Sequence, residues 1–234
     1  MLKRVVLGAI IAVSVTGGAM AQDAPKDGFY VRAGAGVNFV NDLDQEFSYN
    51  PSVVFIVTPP SGQTVETETG YLASAALGFD YADGIRTELE YRYASTAIGT
   101  VTPIGGFDPV DPDPFPPFQS NEDLTAHFVF GNFYFDLRND GPITPFIGAG
   151  VGCAFVDDGS GARDAALAYQ GRAGFSLELS DSFLIDAEYV YTRTNTLRYG
   201  VDPEDFTPTG PVGPAVDGGN YQSSSVMVSL RKQF

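Results

Sequence analysis

The chain has 234 residues, 29 acidic against 13 basic side chains and a formal net charge of −16 at pH 7. A chain this acidic lacks the lysine and arginine surface that a phosphate backbone requires, so the composition excludes nucleic acid as a partner. Its one cysteine, Cys153, cannot form an internal disulfide, which excludes a disulfide-stapled scaffold.

The first 21 residues have the pattern of a secretory signal peptide. Lys3 and Arg4 precede an apolar run over 5–15, and Ala19-Met20-Ala21 has the form of a cleavage site. We expect residues 1–21 to be removed, which takes away two basic groups and moves the formal charge from −16 to −18. Residues 22–234 then form one domain. An uncleaved membrane anchor is the alternative for residues 1–21.

Beyond residue 27, apolar and polar residues alternate with the period of two that is typical of β-strands. Eight segments show it: 29–39, 71–81, 85–93, 126–137, 145–156, 167–179, 183–192 and 221–234. The third, IRTELEYRY, also fits an amphipathic helix with Arg86/Glu90 and Glu88/Arg92 pairs. Its neighbours across short turns fit period two alone, so we predict a strand there.

The predicted connections alternate in length along the chain. Three are short, at 82–84, 138–144 and 180–182, and one is of medium length, at 157–164. The other three are long, at 41–68, 95–122 and 193–219. Sorting of loop lengths between the two ends is typical of outer-membrane barrels, which have brief periplasmic turns and long extracellular loops. The sequence therefore predicts an all-β protein: an eight-stranded antiparallel up-and-down transmembrane β-barrel, with both strand termini in the periplasm.

The facing of the strands distinguishes a membrane barrel from a soluble one. Aromatic residues gather near the strand ends, as in the girdles at the two bilayer interfaces: Phe29, Phe39, Tyr71, Tyr81, Tyr91, Tyr93, Tyr189 and Tyr191. We predict that the apolar face meets lipid and that charges of both signs pair in the lumen. In 126–137 we expect Val129, Phe133, Phe135 and Leu137 outside and Asn132 and Asp136 inside. The predicted luminal charge network comprises Arg32, Arg86, Glu88, Glu90, Arg92, Arg172, Glu178, Asp186 and Glu188.

The signal peptide, the eight strands, the loop asymmetry and the terminal VMVSLRKQF resemble the small outer-membrane β-barrels of Gram-negative bacteria, of the outer-membrane-protein-A-like and opacity-protein type. The resemblance covers residues 28–234. It implies a cell outer-membrane location, contact with outer-membrane lipids and lipopolysaccharide, and recognition by the barrel assembly machinery through the terminal Phe234. Lys232 departs from the family pattern, which has an aromatic or apolar residue there.

Nothing in the sequence points to catalysis. His127 lies among apolar neighbours, with no G-x-S-x-G motif, and Glu88/Glu90 lack a cleft, so we predict no catalytic residue, no cofactor and no metal site. The spacing of Asp108, Asp111 and Asp113 does not match a calcium loop.

The predicted function is a structural or surface-interaction role, in envelope integrity or adhesion. Loops 41–68, 95–122 and 193–219 are the candidate contacts for a surface or host ligand, and the first two are acidic without any Lys or Arg. Weak Ca²⁺ or Mg²⁺ bridging to lipopolysaccharide is a second use of these loops. A narrow pore for ions or small solutes and a soluble lipocalin-like carrier are the alternative functions.

Overall fold

The computed structural model describes residues 27–52, 58–81, 83–107, 115–139, 141–159, 163–200 and 214–234. The predicted signal peptide lies outside them. The described residues form eleven strands: β1 (Gly28–Val40), β2 (Leu43–Ser48), β3 (Gly62–Thr67), β4 (Thr69–Tyr81), β5 (Ile85–Ile104), β6 (Phe118–Gln119), β7 (Asp123–Asp136), β8 (Ile143–Asp157), β9 (Arg163–Ser180), β10 (Phe183–Gly200) and β11 (Ala215–Gln233). None of these residues forms a helix with the length and apolar character needed to cross a bilayer.

Eight of the strands close into a ring. Antiparallel pairings connect β1 to β4, β4 to β5, β5 to β7, β7 to β8, β8 to β9, β9 to β10 and β10 to β11. The ring is completed by eleven residue pairs between β1 and β11, from Tyr30–Gln233 to Val40–Ser223. This confirms the predicted eight-stranded antiparallel barrel, and closure leaves no unpaired edge in the wall.

The apolar face points outwards, as predicted. Leu89 and Phe175 are 60 % and 58 % exposed, whereas Glu88 and Arg172 are 5 % and 3 % exposed. The predicted facing of β7 is also confirmed: its outward residues are exposed, and Asn132 and Asp136 are buried. A lipocalin-like carrier keeps its apolar face inside, so this arrangement excludes the soluble alternative.

The inward face of β8 is a row of glycines because its neighbours fill the space. An added Cβ at Gly148 would overlap the ring of Tyr134, and one at Gly150 would overlap the Asn132 side chain. Both side chains project from β7, next to β8 in the wall. Glycine at these positions therefore makes room for large luminal side chains on the adjacent strand.

The prediction that residues 41–68, 95–122 and 193–219 are loops is wrong for much of their length. β5 continues to Ile104, β10 to Gly200, and β11 begins at Ala215. On the extracellular side, where β1 and β4 have ended, the β2–β3 hairpin fills the gap between β11 and β5. In this gap β2 pairs with β11, and β3 pairs with β5. The extended strands thus find partners beyond the bilayer. Residues 53–57, 108–114 and 201–213 lie outside the described residues.

Candidate functional site

The periplasmic half of the lumen holds a compact group of charged side chains centred on Arg32. One guanidinium nitrogen of Arg32 donates to Glu188 at 2.7 Å, and another donates to Glu88 at 2.8 Å. The phenol of Tyr134 donates to the same Glu88 oxygen at 2.9 Å. Since these groups come from β1, β5, β7 and β10, the contacts join strands on opposite sides of the barrel.

Arg172 and Arg92 complete this group around Glu90. Arg172 donates to Glu90 at 2.7 Å and makes a bidentate contact with Glu188 through bonds of 2.9 and 2.7 Å. Arg92 donates to Glu90 at 3.1 Å. Charge-assisted bonds of this kind favour the ionised forms of both partners. We call Arg32, Glu88, Glu90, Arg92, Arg172 and Glu188, together with the two flanking ion pairs below, the ionic layer.

Two ion pairs lie between this group and the periplasmic mouth. Arg86 contacts Asp136 through bonds of 2.8 Å from two nitrogens, and its guanidinium carbon lies 4.6 Å from the ring centre of Tyr134. Arg231 contacts Asp186 at 3.2 Å. The ionic layer therefore holds five arginines and five carboxylates, which balances its charge.

The structure brings together eight of the nine residues predicted for the network and leaves out Glu178. Glu178 pairs with Leu184 on the inward-facing side of its strand, one row beyond the Ser176–Asp186 pair. It is exposed because this row lies at the open mouth, beside the turn to β10. The assignment of Glu178 to the network is wrong. Alternation along a strand predicts which face a side chain occupies, but it does not predict how far along the lumen the side chain lies.

Sequence reasoning missed Arg231 and the neutral bridging groups. Asn132 donates to Glu88 and Glu90 at 3.1 and 3.0 Å, and Gln170 donates to the Asn132 oxygen at 2.6 Å. Arg231 has the inward parity of Ser229 and Ser225, so the same alternation that located Arg32 could have located it. Asn132 and Gln170 have the inward parity too, and Asn132 was predicted to face inwards, but alternation does not indicate that these neutral side chains bridge the charges.

The extracellular half of the lumen is filled mainly by apolar side chains, which we call the apolar layer, with the buried Asn38 donating to the Tyr221 hydroxyl at 3.0 Å. It comprises Leu72, Leu124, Phe128, Phe130, Val190, Leu197, Tyr199 and Tyr221, continued upwards by Leu43, Val65, Ile98 and Val101. The rings of Phe128 and Phe130 stack at 5.5 Å between centroids, and Phe128 lies 5.5 Å from Tyr221. Arg92 sits 5.4 Å from the Phe130 ring, where the two layers meet. Both halves of the lumen are therefore occupied by the protein's own side chains.

The residues with catalytic potential lie apart from this lumen. His127 is on the outer face, where its Nδ1 lies 2.7 Å from the hydroxyl of Tyr91, and Cys153 is exposed on the outer wall. In the described part of the chain, no group of three or more His, Cys, Asp or Glu could hold a metal ion.

Comparisons with known proteins agree with this architecture. The family described as "Surface antigen" matches residues 110–200. An uncharacterized protein of Brucella abortus is 26% identical over 190 residues, which cover 68% of this chain and 66% of that protein, just under two thirds. The outer membrane protein PagN of Salmonella typhimurium is 27% identical over 188 residues, covering 73% of this chain and 76% of PagN.

Two solved structures share the fold. Neisserial surface protein A aligns with a TM-score of 0.52 at 16% identity, covering 88% of this chain and 97% of its own. The outer membrane protein OprG of Pseudomonas aeruginosa aligns with a TM-score of 0.59 at 14% identity, covering 89% and 95%. This chain is a small outer-membrane β-barrel. The barrel matches these two proteins in fold.

On the extracellular side of the barrel, the β2–β3 hairpin has one acidic face. Its exposed carboxylates are Asp42, Asp44, Glu46, Glu66 and Glu68, and the hairpin contains no Lys or Arg. Its other face turns Leu43 and Val65 into the apolar layer. Asp44 accepts a bond from the Thr64 hydroxyl at 2.9 Å, and Glu46 pairs with Gly62. We call this the acidic hairpin face.

A second feature of the extracellular rim is the ion pair between Arg163 and Asp157, 2.7 Å apart. The Gly159 amide, which donates to Asp157 at 3.0 Å, and then Arg163 hold the pKa of this carboxyl below its usual range. Asp157 is thus ionised at neutral pH and already has its partners.

Proposed function

We propose that this outer-membrane barrel is a closed scaffold that presents the acidic hairpin face to a positively charged surface outside the cell, and that it neither conducts nor catalyses. The observation that carries the proposal is the pairing of a filled lumen with a strand-built acidic platform above the bilayer. The match to a family described as "Surface antigen" and the likeness to outer-membrane proteins support a role at the cell surface.

The filled lumen favours the function of a closed scaffold and argues against that of a pore. The ionic layer spans the barrel with contacts of 2.7–2.8 Å from Arg32 to carboxylates on two other strands. Above it, the stacked Phe128 and Phe130 rings occupy the apolar layer. An ion would have to break balanced salt bridges and then pass between packed aromatic and aliphatic side chains, and both steps are costly.

The acidic hairpin face supports electrostatic contact with a basic partner. Within the described residues, its five carboxylates form no ion pair shorter than 4.0 Å. Such a one-sign patch accelerates association with an oppositely charged surface, and the attraction weakens as salt rises. The strands anchor the patch, because the hairpin pairs with β11 and β5.

Neutralising this face tests the proposal. Asp42→Asn, Asp44→Asn, Glu46→Gln, Glu66→Gln and Glu68→Gln together remove its charge and keep the shape of each side chain. We expect adhesion of barrel-expressing cells to a polylysine-coated surface to fall by about tenfold at low salt. The matched control neutralises Asp83, Glu178 and Asp181, which are exposed at the periplasmic end. Equal loss in the control, or unchanged adhesion in the variant, contradicts the proposal.

Conductance of the purified barrel in a planar bilayer tests the alternative pore. We expect no channel openings in the wild type, because the lumen is occupied in both halves. Stepwise currents that disappear on Arg92→Gln substitution would contradict the closed scaffold and indicate a gated pore.

Two further assignments remain proposals that rest on sequence. The signal peptide at 1–21 is tested by the mass of the purified protein, which should correspond to a chain beginning at Gln22. Phe234 is the proposed recognition residue for the barrel assembly machinery. Phe234 follows the last wall strand and is 72 % exposed, which supports this role. Phe234→Ala should lower the amount of barrel recovered in the outer membrane while purified protein still refolds in detergent.

A further inference from the structure

A polar groove of about 600 Å³ lies on the outside of the barrel where β9, β10 and β11 meet. Its lining includes Asp164, Tyr169, Arg193, Asn195, Arg198 and Asn220. The groove is separate from the acidic hairpin face and from the lumen. It is also chemically different, because it presents two arginines on a strongly acidic protein.

A β-bulge in β10 brings both arginines to the outside. Arg193 and Arg198 are five residues apart, an odd spacing that would put them on opposite faces of a regular strand. The pairing of β10 with β11 shifts register between Arg193 and Thr196 and again between Thr196 and Arg198. Asn195 and Thr196 are consequently both exposed, Leu197 is buried, and Arg198 is exposed. The bulge re-aims Arg198 towards the side of Arg193.

These two arginines differ from all the other arginines that the structure describes. The other seven each have a carboxylate within 4.0 Å: Arg32, Arg86, Arg92, Arg138, Arg163, Arg172 and Arg231. Within the described ranges, Arg193 and Arg198 have no such partner. The Nε of Arg193 is shielded from solvent and lacks a hydrogen-bond partner, as do single nitrogens of Arg32 and Arg86 and two nitrogens of Arg231, but those three arginines each have a carboxylate partner.

The one carboxylate in the groove is occupied by backbone groups. Asp164 accepts hydrogen bonds from the amides of Arg198, at 2.6 Å, and Ala165, at 2.8 Å. The Arg198 bond ties β9 to the bulge and so fixes the position of the groove. Asp217, which is opposite Arg198 in the β10–β11 pairing, accepts a bond from the Gly219 amide at 3.1 Å and lies outside the lining of the groove. Neither carboxylate forms an ion pair with the two guanidinium groups within the described residues.

The level of the groove on the wall points to the anion. Arg193 lies directly opposite Tyr169 in the β9–β10 pairing and two positions beyond Tyr191 along its strand. Tyrosines at this height form the extracellular aromatic girdle, which marks the headgroup zone of the bilayer. The unpaired arginines therefore lie where the phosphate groups of the outer leaflet begin.

We propose that this groove binds a phosphate of lipid A, the phosphorylated glucosamine lipid of the outer leaflet. The Arg193 and Arg198 guanidinium groups donate charge-assisted bonds to the phosphate oxygens. Asn195, Thr196 and Asn220 line the same groove and offer donors and acceptors to the sugar hydroxyls. The acyl chains of the lipid then lie against the apolar wall below Tyr191.

The test is titration of the mature barrel in detergent micelles with lipid A, followed through the Nε–Hε signals of its arginines by NMR and by native mass spectrometry. We expect lipid A to shift the Arg193 signal and to remain bound in the gas phase. In the double variant Arg193→Gln/Arg198→Gln, affinity should fall by about tenfold for each arginine removed. Enzymatically dephosphorylated lipid A should bind the wild type as weakly as lipid A binds the double variant.

Arg163→Gln is the matched control, since Arg163 is an exposed arginine of the same rim that already pairs with Asp157. It should leave lipid A affinity unchanged. An equal loss in this control, or equal binding of dephosphorylated lipid A, overturns the proposal. If the deacylated, phosphorylated saccharide binds as tightly as intact lipid A, the groove recognises the phosphate without the lipid, and the assignment to lipid A is wrong. Heat-modifiable migration of each variant shows that the barrel has folded.

The lipid A site and the proposed surface contact can be contradicted independently of each other. Neutralising the acidic hairpin face should leave lipid A binding unchanged, and the Arg193→Gln/Arg198→Gln variant should keep its adhesion to a basic surface.

Discussion

The periplasmic half of the lumen is filled by charged side chains, and the extracellular half by apolar ones. Each ion of the ionic layer had to leave water, a cost that its hydrogen bonds and opposite charges roughly offset. The apolar layer gains free energy from burial much as the core of a soluble domain does. Side chains occupy both halves, so their difference concerns what each half does for the wall around it.

The ionic layer fixes which strands face each other, since a guanidinium and a carboxylate meet only in one register. Arg32 on β1 contacts Glu88 on β5 and Glu188 on β10 across the barrel. The apolar layer continues above the wall strands and supports the β2–β3 hairpin through Leu43 and Val65. We infer that one half specifies the barrel and the other supports its extracellular surface.

The largest expected effect comes from removing one carboxylate of the ionic layer. Glu90→Gln leaves Arg172 and Arg92 buried beside a neutral group, and we expect the free energy of unfolding to fall by about 3–5 kcal/mol. Urea unfolding of the refolded barrel in micelles measures it. Glu178→Gln is the control at the exposed mouth and should change stability by less than about 0.5 kcal/mol. Similar losses in both variants would show that the ionic layer is not the source of the effect.

A cavity in the apolar layer should have a smaller effect with a different location. Phe128→Ala removes a stacked ring, and we expect a loss of about 3 kcal/mol. Hydrogen exchange should accelerate at the amides of β2 and β3, which stay protected in Glu90→Gln. Phe133→Ala, on the lipid side of the same strand, serves as the control and should leave those amides protected. If Phe128→Ala does not loosen the hairpin, the two halves do not differ in the way described.

Overpacking the glycine row of β8 should cost less again. A methyl group at Gly150 meets the Asn132 oxygen and the Gln170 side chain, and would separate two groups that bridge the ionic layer. We expect Gly150→Ala to lower stability by about 1–3 kcal/mol. Gly171→Ala is the control, because nothing lies within 4 Å of the added methyl there. Thermal unfolding followed by gel migration compares the two, and equal midpoints would contradict the packing argument.

The smallest expected effect lies outside both halves, at Asp157. Its folded-state pKa is lowered, so any stabilisation of this loop is present above the unfolded-state value, about 3.9, and is lost as pH falls through the lower folded value. NMR titration of the Asp157 carboxyl carbon should give a midpoint below that ordinary value. Arg163→Gln should raise the midpoint only in part, because the Gly159 amide remains. A midpoint at the ordinary value would contradict the assignment.

Alternation in the sequence predicted the strands, their facing and most of the ionic layer, because lipid outside and charge inside impose a strict period of two. It did not predict which charges meet: Arg32 and Glu188 are 156 residues apart and contact each other only after closure. It also missed the upper part of β5, where Thr96 to Ile104 mixes small, polar and apolar residues. Above the bilayer neither face of a strand meets lipid, so the alternation that marks a wall strand is absent.

The seam between β1 and β11 also constrains how this chain can reach its final state. The first and last wall strands are neighbours in space, so the ring cannot close until the eighth wall strand has been synthesised. Until then, any partly paired sheet exposes two unpaired strand edges and an apolar outer face, and both promote aggregation. Long-range pairing of this kind is slow. A substitution at this seam would therefore first lengthen the time that the barrel spends unclosed. Its effect on the stability of the closed barrel would come second.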